Sequence, residues 1–317
     1  MSILILGDLI ADINMRVPQL GVVAKDIHRL SYMEVGPGGA CNVAIMASRF
    51  GLPVGCLGEV GDDGFGLVVS EGLKREGVDI AQLRVTEGAR TPVAVVMVDP
   101  AGEPAYLGYP GSLQVRSWPA DWDALAKNAQ ALFADGWAEY QETPSMVLHG
   151  LELAKGAGAL TVFDPGPGNP EVDSAWIKGA VALSRVLLLN REEANRLVGE
   201  QDDPGLVKEL QALGTEWVVL KLGAEGLVLA YGDQYISVPG FSVEVKDATG
   251  AGDCVAGAIL YGISNGLDLE KLARLANATG AAKVMKMGTG HNVPTLSEIA
   301  NVLQFNGFDA AEYLMEK

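Results

Sequence analysis

Short runs of apolar residues without polar alternation recur along the whole chain. They are rich in Val, Leu and Ile, and this pattern predicts strands that are buried on both faces, as in a parallel sheet covered by helices. The candidate strands are Ser2–Gly7, Val54–Glu59, Val93–Asp99, Ala131–Asp135, Leu160–Asp164, Val186–Asn190, Trp217–Leu222 and Leu227–Tyr231.

Helical patterns lie between many of these strands. The candidate helices are Asn42–Phe50, Ser145–Lys155, Arg191–Val198 and Leu206–Leu213, and two more begin after Gly252 and after Asp268. Strands that alternate with helices in this way predict a doubly wound α/β architecture with helices on both faces of the sheet. Because α/β folds often reach this length as one unit, we expect a single domain over residues 1–317.

Two segments depart from the alternation of strands and helices. Residues 13–36 show no helical period, and residues 89–112 are typical of a hairpin that turns at Asp99–Gly102. Together they could form a small sheet that projects from the main one. Two ordinary surface hairpins would give the same pattern, so both interpretations stay open at this point.

Charge and cysteine content restrict the functional classes. The formal net charge is −17, which argues against nonspecific binding to nucleic acid or to anionic membranes, since both require basic patches. It does not exclude a phosphorylated ligand. The three cysteines are too few and too scattered for a disulfide framework or a zinc site, and they favour a reducing cytoplasm. The apolar start MSILILGDLI lacks a basic region and is interpreted as a buried strand, and no apolar run approaches the ~20 residues of a membrane span.

Polar and glycine residues cluster where the predicted strands end. Ligands of open α/β sheets bind outside the carboxyl ends of the strands. Any one of these clusters could be a simple turn, but their convergence on one edge predicts a long cleft there. The clusters are Gly7–Asp12, Asp164–Gly166, Asn190–Glu193 and Lys221–Gly226.

A glycine-rich turn, Asp247–Asp253, leads directly into an apolar helix. The first N–H groups of a helix have no intrahelical partner, and the positive end of the helix dipole favours an anion, commonly phosphate. Gly250 and Gly252 let the backbone approach such a ligand. Asp253 could be the general base that deprotonates an attacking hydroxyl, or it could be the N-cap of the helix. Taken alone, the motif favours the cap.

Two other phosphate-binding motifs are excluded by the residues present. No G-x-x-x-x-G-K-[ST] sequence occurs, so a P-loop is absent from the sequence. The early glycines of Gly36–Asn42 do not satisfy G-x-G-x-x-G, and they follow a segment that we predict not to be a strand. A dinucleotide-binding Rossmann site is therefore not expected.

Seven ordered motifs give the chain a resemblance to a known family over nearly its whole length. They are GDLIAD (7–12), GPGGACNVA (36–44), VGDDGFG (60–66), NREE (190–193), KLGAEG (221–226), DATGAGD (247–253) and LANATGAAKV (275–284). Because all seven motifs occur in this order, the chain resembles the ribokinase-like (PfkB-type) carbohydrate kinases. The resemblance implies a mostly parallel α/β sheet with a small β lid, which the segments 13–36 and 89–112 would form.

The resemblance also implies a reaction and roles for particular residues. The chain is expected to use ATP and Mg²⁺ to phosphorylate a hydroxymethyl group of a sugar or a sugar-like alcohol. By similarity, Asp253 is the general base, and the amides of Gly250, Ala251 and Gly252 form the anion hole. Substrate would be bound by Asp12, Gly38, Gly39 and Asn42. Nucleotide would be bound by Asn190, Lys221, Gly223, Gly226 and Asn277. Metal would be held near Glu193, and Asp247 and Thr249 match positions that hold a monovalent cation such as K⁺ in many members.

Several alternatives remain at this stage. A nucleoside kinase of the same family would carry the same motifs, and a noncatalytic sugar- or nucleotide-binding regulator would keep the fold without needing Asp253. Glu193 could simply be a first-turn acid that the helix dipole stabilises. Tyr106 and Tyr109 could close over a substrate from the lid, could be exposed strand aromatics, or could form a homodimer contact.

Overall fold

The computed structural model describes residues 2–21, 25, 27–112, 118–137, 145–166 and 174–314. The strands are β1 (Ile3–Leu6), β2 (Leu9–Arg16), β3 (Tyr32–Gly39), β4 (Val54–Gly61), β5 (Leu83–Thr86), β6 (Val93–Val98), β7 (Pro104–Tyr109), β8 (Ala131–Asp135), β9 (Leu160–Asp164), β10 (Val186–Asn190), β11 (Trp217–Lys221), β12 (Gly226–Tyr231) and β13 (Gln234–Pro239).

The helices lie between these strands and after the last of them. They are α1 (Cys41–Arg49), α2 (Gly64–Arg75), α3 (Trp122–Asn128), α4 (Ser145–Gly156), α5 (Ser174–Leu183), α6 (Arg191–Val198), α7 (Asp203–Ala212), α8 (Ala251–Ser264), α9 (Leu269–Val284) and α10 (Leu296–Phe305). Within the described residues, no helix is long and apolar enough to span a membrane.

Nine strands form one large sheet in the order β13-β12-β11-β10-β9-β8-β1-β4-β5. All neighbours from β11 to β5 are parallel, and only β12 and β13 are antiparallel, at one edge. From β1 the chain builds outward through β4 and β5, and it then returns to place β8 on the other side of β1. The topological switch point therefore lies between β1 and β8, where doubly wound sheets bind their ligands.

Apolar side chains fill both sides of the large sheet. Along β1, Ile3 and Ile5 belong to one buried cluster, which includes α1, α8 and α9, whereas Leu4 and Leu6 belong to a second cluster with α4 and α5. Strands covered on both faces need apolar residues at every position, which is why the uninterrupted apolar runs identified them. The predicted doubly wound fold with helices on both faces is confirmed.

A second, four-stranded sheet has the order β3-β2-β6-β7. Side chains alternate between the two faces of a strand, so the register puts Asp12, Asn14 and Tyr106 on one face. Met33 and Leu107 lie on the other face and are exposed. The small sheet thus has one face with polar groups and one apolar face. The hairpin predicted at Asp99–Gly102 is present, since the Gly102 amide donates to the Asp99 carbonyl at 3.0 Å.

The small sheet is larger than the sequence pattern indicated. Its first strand begins at Leu9 instead of residue 13, and β3 extends through Gly39, so the prediction that no strand precedes the early glycines is wrong. Pro37 is tolerated because β3 is an edge strand, where a missing N–H costs no ladder hydrogen bond. Residues 22–24 and 26 of the predicted segment 13–36 lie outside the described residues.

Helix α2 begins within the motif VGDDGFG and was not predicted from the sequence. Asp63 is the N-cap of α2, and its carboxylate accepts the Gly66 amide at 2.9 Å. Gly64 and Gly66 lie in the first turn, where their low helix propensity concealed the helix from pattern analysis. The helices α3, α5 and α10 and the strands β5 and β13 were also absent from the prediction.

Candidate active site

Asp253 lies in the first turn of α8, three residues after the position that caps the helix. The N-cap is Gly250, which adopts φ 75°, and no side chain caps this end of the helix. The carboxylate of Asp253 instead accepts a hydrogen bond of 2.9 Å from Asn42 Nδ2. The N-cap interpretation of Asp253 is therefore wrong, and its side chain is directed toward α1.

Burial is the main reason why Asp253 is a weaker acid than an ordinary aspartic acid. It raises the pKa of Asp253 from 3.8 to about 6, and the Asn42 hydrogen bond opposes that rise. Asp164 raises the pKa further, while Lys221 lowers it. The carboxylate is thus ionised at neutral pH but is more basic than a solvated aspartate.

The glycine turn before α8 exposes backbone amides beside Asp253. The Ala251 amide donates to the Ala248 carbonyl at 3.3 Å, a long turn hydrogen bond. Among the described residues, the amides of Gly250 and Gly252 have no recorded hydrogen-bond acceptor. A Cβ on Gly252 would lie 3.2 Å from Lys221 Nζ, so the lysine ammonium lies directly against this turn. Two amides and one ammonium therefore face the same region.

Asn42 connects three distant parts of the chain. Its Nδ2 donates to Asp253, and its Oδ1 accepts the Gly290 amide at 2.8 Å. The side chain is 2% exposed, and both of its polar ends have partners. The bond from the Gly290 amide to Oδ1 fixes the orientation of the Asn42 side chain. Because Nδ2 then points in one direction, Asn42 holds the Asp253 carboxylate in one position.

Lys221 belongs to a buried acid–base cluster at the ends of neighbouring strands. Its Nζ contacts Asp164 Oδ2 at 2.5 Å. Burial alone would lower the pKa of Lys221, but Asp164 and Glu193 outweigh that effect and the pKa is raised. Burial also raises the pKa of Glu193, which Lys221 opposes. Lys221 is therefore a fixed positive charge.

Asn190 and Glu193 form a capping box at the start of α6. Asn190 Oδ1 accepts the Glu193 amide at 2.8 Å, and Glu193 Oε2 accepts the Asn190 amide at 2.7 Å. The capping box is a structural role that sequence reasoning did not consider, and it accounts for one oxygen of Glu193. Among the described residues, no group of three or more His, Cys, Asp or Glu side chains could hold a metal ion.

Asp12 approaches the same region from the small sheet. It is 3% exposed, and its Oδ2 accepts a hydrogen bond of 2.7 Å from the Thr289 hydroxyl. Burial raises the pKa of Asp12 to about 7, and Asp253, Asp8 and Asp247 contribute to the rise. Asn14, two residues along β2, donates to the same Thr289 hydroxyl at 2.9 Å.

The two predicted substrate glycines are explained by close approaches. A Cβ on Gly38 would lie 2.0–2.2 Å from the carboxyl atoms of Asp12, so only glycine leaves room for that carboxylate. Gly39 has φ 56°, and a Cβ there would lie 2.2 Å from the Asp8 carbonyl oxygen. Both glycines therefore shape the space around Asp12.

Asp247 is fully buried behind the glycine turn. Its Oδ1 accepts the Thr249 amide and its Oδ2 accepts the Gly288 amide, both at 2.8 Å. The small sheet reaches the same loop, because the Ala248 amide donates to the Gly102 carbonyl at 3.1 Å. The loop is thus held from two sides.

The remaining predicted nucleotide residues lie around the antiparallel edge of the large sheet. Asn277 Nδ2 donates to the Pro239 carbonyl at 2.7 Å and so fixes the end of β13. Gly226 has φ 114° and a Cβ there would lie 2.0 Å from the Val238 carbonyl, which is a structural requirement of the β12–β13 hairpin. Gly223 has φ 59° and open space around it.

Sequence reasoning missed several residues of this site. Asp164 was noted at a strand end but was given no role, and Thr289 and Asn14 belong to no site prediction. Asp135 was also missed: it lies at the carboxyl end of β8, is 4% exposed, and its Oδ2 accepts the Asp8 amide at 3.2 Å. Its position next to the switch point between β1 and β8 was the available signal.

This arrangement has the parts that transfer of a phosphoryl group to a hydroxyl requires. A basic carboxylate can take a proton, and amides with an ammonium can stabilise anionic oxygens. Asp12 offers an acceptor for substrate hydroxyls. The geometry alone therefore points to a phosphotransferase.

Comparison with known proteins identifies the family. The family model described as "pfkB family carbohydrate kinase" matches residues 1–296. The chain belongs to this family, and the predicted class of enzyme, a sugar kinase, is confirmed.

Individual relatives agree with this assignment. Fructokinase-1 of Zea mays is 31% identical over 290 residues, which cover 84% of this chain and 88% of the relative. A nucleoside kinase of Methanothermobacter thermautotrophicus is 29% identical over 265 residues, covering 82% of each chain. The fold matches that of Arabidopsis thaliana ribokinase, solved with ribose and ATP, with a TM-score of 0.81 at 23% identity, covering 96% and 99% of the two chains.

The raised pKa of Asp12 predicts a pH-dependent gain in stability for Asp12→Asn. The folded state holds the Asp12 proton more tightly than the unfolded state, so stability falls as pH rises from 3.8 through about 7. The variant cannot titrate there. We expect its free energy of unfolding relative to wild type to increase across this window, by at most about 4 kcal/mol.

Urea unfolding of both proteins at a series of pH values measures this difference. Asp233→Asn, which changes an exposed carboxylate in the β12–β13 turn, is the control and should show no such trend. A difference between Asp12→Asn and wild type that is the same at pH 4 and pH 8 would contradict the account.

Proposed function

We propose that this protein transfers a phosphoryl group from ATP to a hydroxymethyl group of a sugar or sugar-like alcohol, with Asp253 as the general base. The observation that carries the proposal is the state of Asp253. It lies in the first turn of α8 without capping it, is bound by Asn42, and has a pKa of about 6. We also propose that the chain acts as one domain with the small sheet as its lid.

Asp253 is suited to proton abstraction near neutral pH. A general base is most effective when its pKa lies near the working pH, because it is then both ionised and basic. Asn42 fixes the orientation of the carboxylate, and burial supplies the basicity. The proton of the acceptor hydroxyl would pass to a carboxylate oxygen of Asp253 as that hydroxyl oxygen forms a bond to the γ-phosphorus of ATP. The bond from this phosphorus to the bridging oxygen would break, and ADP would leave with its electron pair.

The charge of the transferred group would be stabilised at the start of α8. The amides of Gly250, Ala251 and Gly252 precede or begin the helix at the positive end of its dipole. Of the three, the Ala251 amide would exchange its 3.3 Å bond to Ala248 for the ligand. Lys221 lies against the same turn and would add a cation on the nucleotide side. Asn190, Gly223, Gly226 and Asn277 are the further nucleotide-side residues of the proposal.

Glu193 is the residue that we propose to hold Mg²⁺ through water. Its Oε2 already accepts an amide, and no acidic cluster of metal-ligand size lies among the described residues. This donor set fits an ion that keeps several waters and takes its other ligands from phosphate oxygens. When bound, Mg²⁺ neutralises charge on the polyphosphate.

Substrate hydroxyls would be bound between the two sheets. Asp12 and Asn42 would line the space beside Asp253, and Gly38 and Gly39 leave room for the Asp12 carboxylate and the Asp8 carbonyl. Tyr106 is on the same face of the small sheet as Asp12 and Asn14. From there it can cover the substrate and exclude water, which would otherwise accept the phosphoryl group. The opposite, apolar face of the lid would form the predicted homodimer contact.

A nucleoside kinase is the second candidate. Its support is the nucleoside kinase relative together with Tyr106, whose ring could stack on a base. ADP release measured over a panel of sugars, sugar acids, polyols, sugar phosphates and nucleosides separates the two. Turnover with a sugar supports the first proposal, turnover confined to nucleosides supports the second, and ADP release that no acceptor stimulates contradicts both.

Asp253→Asn should remove base catalysis while keeping the shape of the site. We expect the turnover number to fall ~10²–10⁴-fold, with ATP affinity largely retained. ADP release measures the first effect and equilibrium ATP binding measures the second. Glu270→Gln, which neutralises an exposed first-turn acid of α9, is the control with wild-type turnover. Near-normal turnover of Asp253→Asn would exclude this mechanism.

Gly38→Ala and Gly36→Ala form a matched pair within strand β3. A Cβ at residue 38 overlaps the Asp12 carboxylate, whereas a Cβ at residue 36 would have its nearest neighbours at 3.8 and 3.9 Å. Gly38→Ala should displace Asp12 and raise the KM for the acceptor by about 10-fold or more, the equivalent of one charged hydrogen bond. Gly36→Ala should leave the KM nearly unchanged. Equal KM values for the two variants would show that Asp12 does not bind the acceptor.

A further inference from the structure

Lys283 is a fully buried lysine that the proposed mechanism does not use. It lies in the last turn of α9 and is 0% exposed. A lysine near a helix C-terminus ordinarily extends into solvent, since its ammonium is strongly hydrated. Burying it is costly, so the surrounding groups must compensate the charge.

The Lys283 ammonium has one carbonyl partner, and no carboxylate of the described residues lies within ion-pair distance of it. Its Nζ donates to the Lys286 carbonyl at 3.3 Å. Burial lowers the pKa of Lys283, and Asp247 and Asp253 oppose this lowering, whereas Lys286 adds to it. Both carboxylates therefore favour the charged form.

The resemblance to the kinase family predicted a monovalent cation near Asp247 and Thr249, in the loop whose Asp247 carboxylate acts on Lys283. Asp247 was the predicted side-chain ligand, yet both of its carboxylate oxygens accept backbone amides, from Thr249 and Gly288. The neighbouring Val284 carbonyl likewise accepts two amides, from Lys246 at 2.7 Å and Asp247 at 3.1 Å. The Asp247 oxygens can each accept a further contact, and the Thr249 hydroxyl is buried without a hydrogen-bond partner among the described residues, so the oxygen atoms alone do not exclude an ion. A K⁺ ion there would meet the repulsion of the Lys283 ammonium, and for this reason the residues present do not fit a K⁺ ion.

We propose that the ammonium group of Lys283 takes the place of a monovalent cation beneath the Asp247–Gly252 loop, so that this kinase works without K⁺. An ammonium carries the same unit charge as K⁺, and here it donates to the Lys286 carbonyl oxygen, a group of the kind that coordinates such an ion. Because it is covalently attached, its charge is present at any salt composition. The loop that it supports carries the amides of Gly250 and Gly252.

Thermal unfolding of the free protein tests the proposal without nucleotide or sugar. Wild type, Lys283→Ala and the control Lys286→Ala are compared in KCl and in tetramethylammonium chloride at equal ionic strength. Lys286 is the matched control because its ammonium instead contacts Glu298 at 2.9 Å. We expect equal midpoints in both salts for wild type and Lys286→Ala. Lys283→Ala should unfold at lower temperature, and K⁺ should raise its midpoint by about 2 °C or more.

Turnover gives a second readout, which rests on the proposed function whereas unfolding does not. Wild-type ADP release should be equal in the two salts, and that of Lys283→Ala should fall in tetramethylammonium and recover with K⁺. Lys283→Met, which keeps the aliphatic packing, is used in the same way if the alanine variant does not fold.

Three results would overturn the proposal. The first is a wild-type protein whose midpoint or turnover rises with K⁺. The second is a Lys283 variant as stable and active as wild type without K⁺. The third is a destabilised variant on which K⁺ has no effect, because the lysine would then be a packing residue whose charge no cation can replace.

Discussion

The uncapped, partly exposed start of helix α8 is the constraint on which the rest of the site depends. The first amides of any helix have no intrahelical partner, and they need an anion, water or another acceptor. Here Gly250 begins the helix with a positive φ and without a side-chain cap. Because the protein does not cap this end itself, the amides stay available to a ligand.

The same constraint explains why charge is concentrated around this helix. Burial raises the pKa values of Asp12 and Asp253, and each carboxylate acts on the other. Lys221 compensates this negative charge from beside Asp164, and Lys283 does so from the last turn of α9. The chain as a whole carries a net charge of −17, and these two lysines offset part of the negative charge within the site. The raised pKa values of Asp12 and Asp253 reduce folding stability at neutral pH, and the proposed mechanism uses the basicity of Asp253.

Sequence patterns predicted the parts of the fold whose local composition agrees with their environment. The strands β8, β9 and β10 were predicted with the bounds that the structure has, because strands covered on both faces are uniformly apolar. A small sheet from segment 13–36 was considered, but the bounds of strands β2 and β3 were not predicted, since these strands turn Asp12 and Asn14 toward the site and contain Pro37. Helix α2 was missed because glycines occupy its first turn. In each case a functional or steric requirement overrides local propensity.

Site residues that belong to sequence motifs could be predicted. Residues that only tertiary contacts bring to the site could not. Asn42 and Asp253 belong to separate motifs, and the structure joins them by one hydrogen bond. Thr289 and Asp164 belong to no motif that assigned them a role, and only the fold brings them to Asp12 and Lys221. Lys283 is within a motif, but a lysine at a helix end gives no sign that its side chain is buried.

The proposed mechanism depends on the basicity that burial gives to Asp253. A carboxyl ¹³C NMR titration of the free protein measures this basicity, and the Asp253 signal is assigned by its absence from the spectrum of an Asp253→Asn sample. We expect a pKa of about 6 for this signal. A pKa at the ordinary value of 3.8 would exclude the mechanism, because the carboxylate would then be no more basic than one in water.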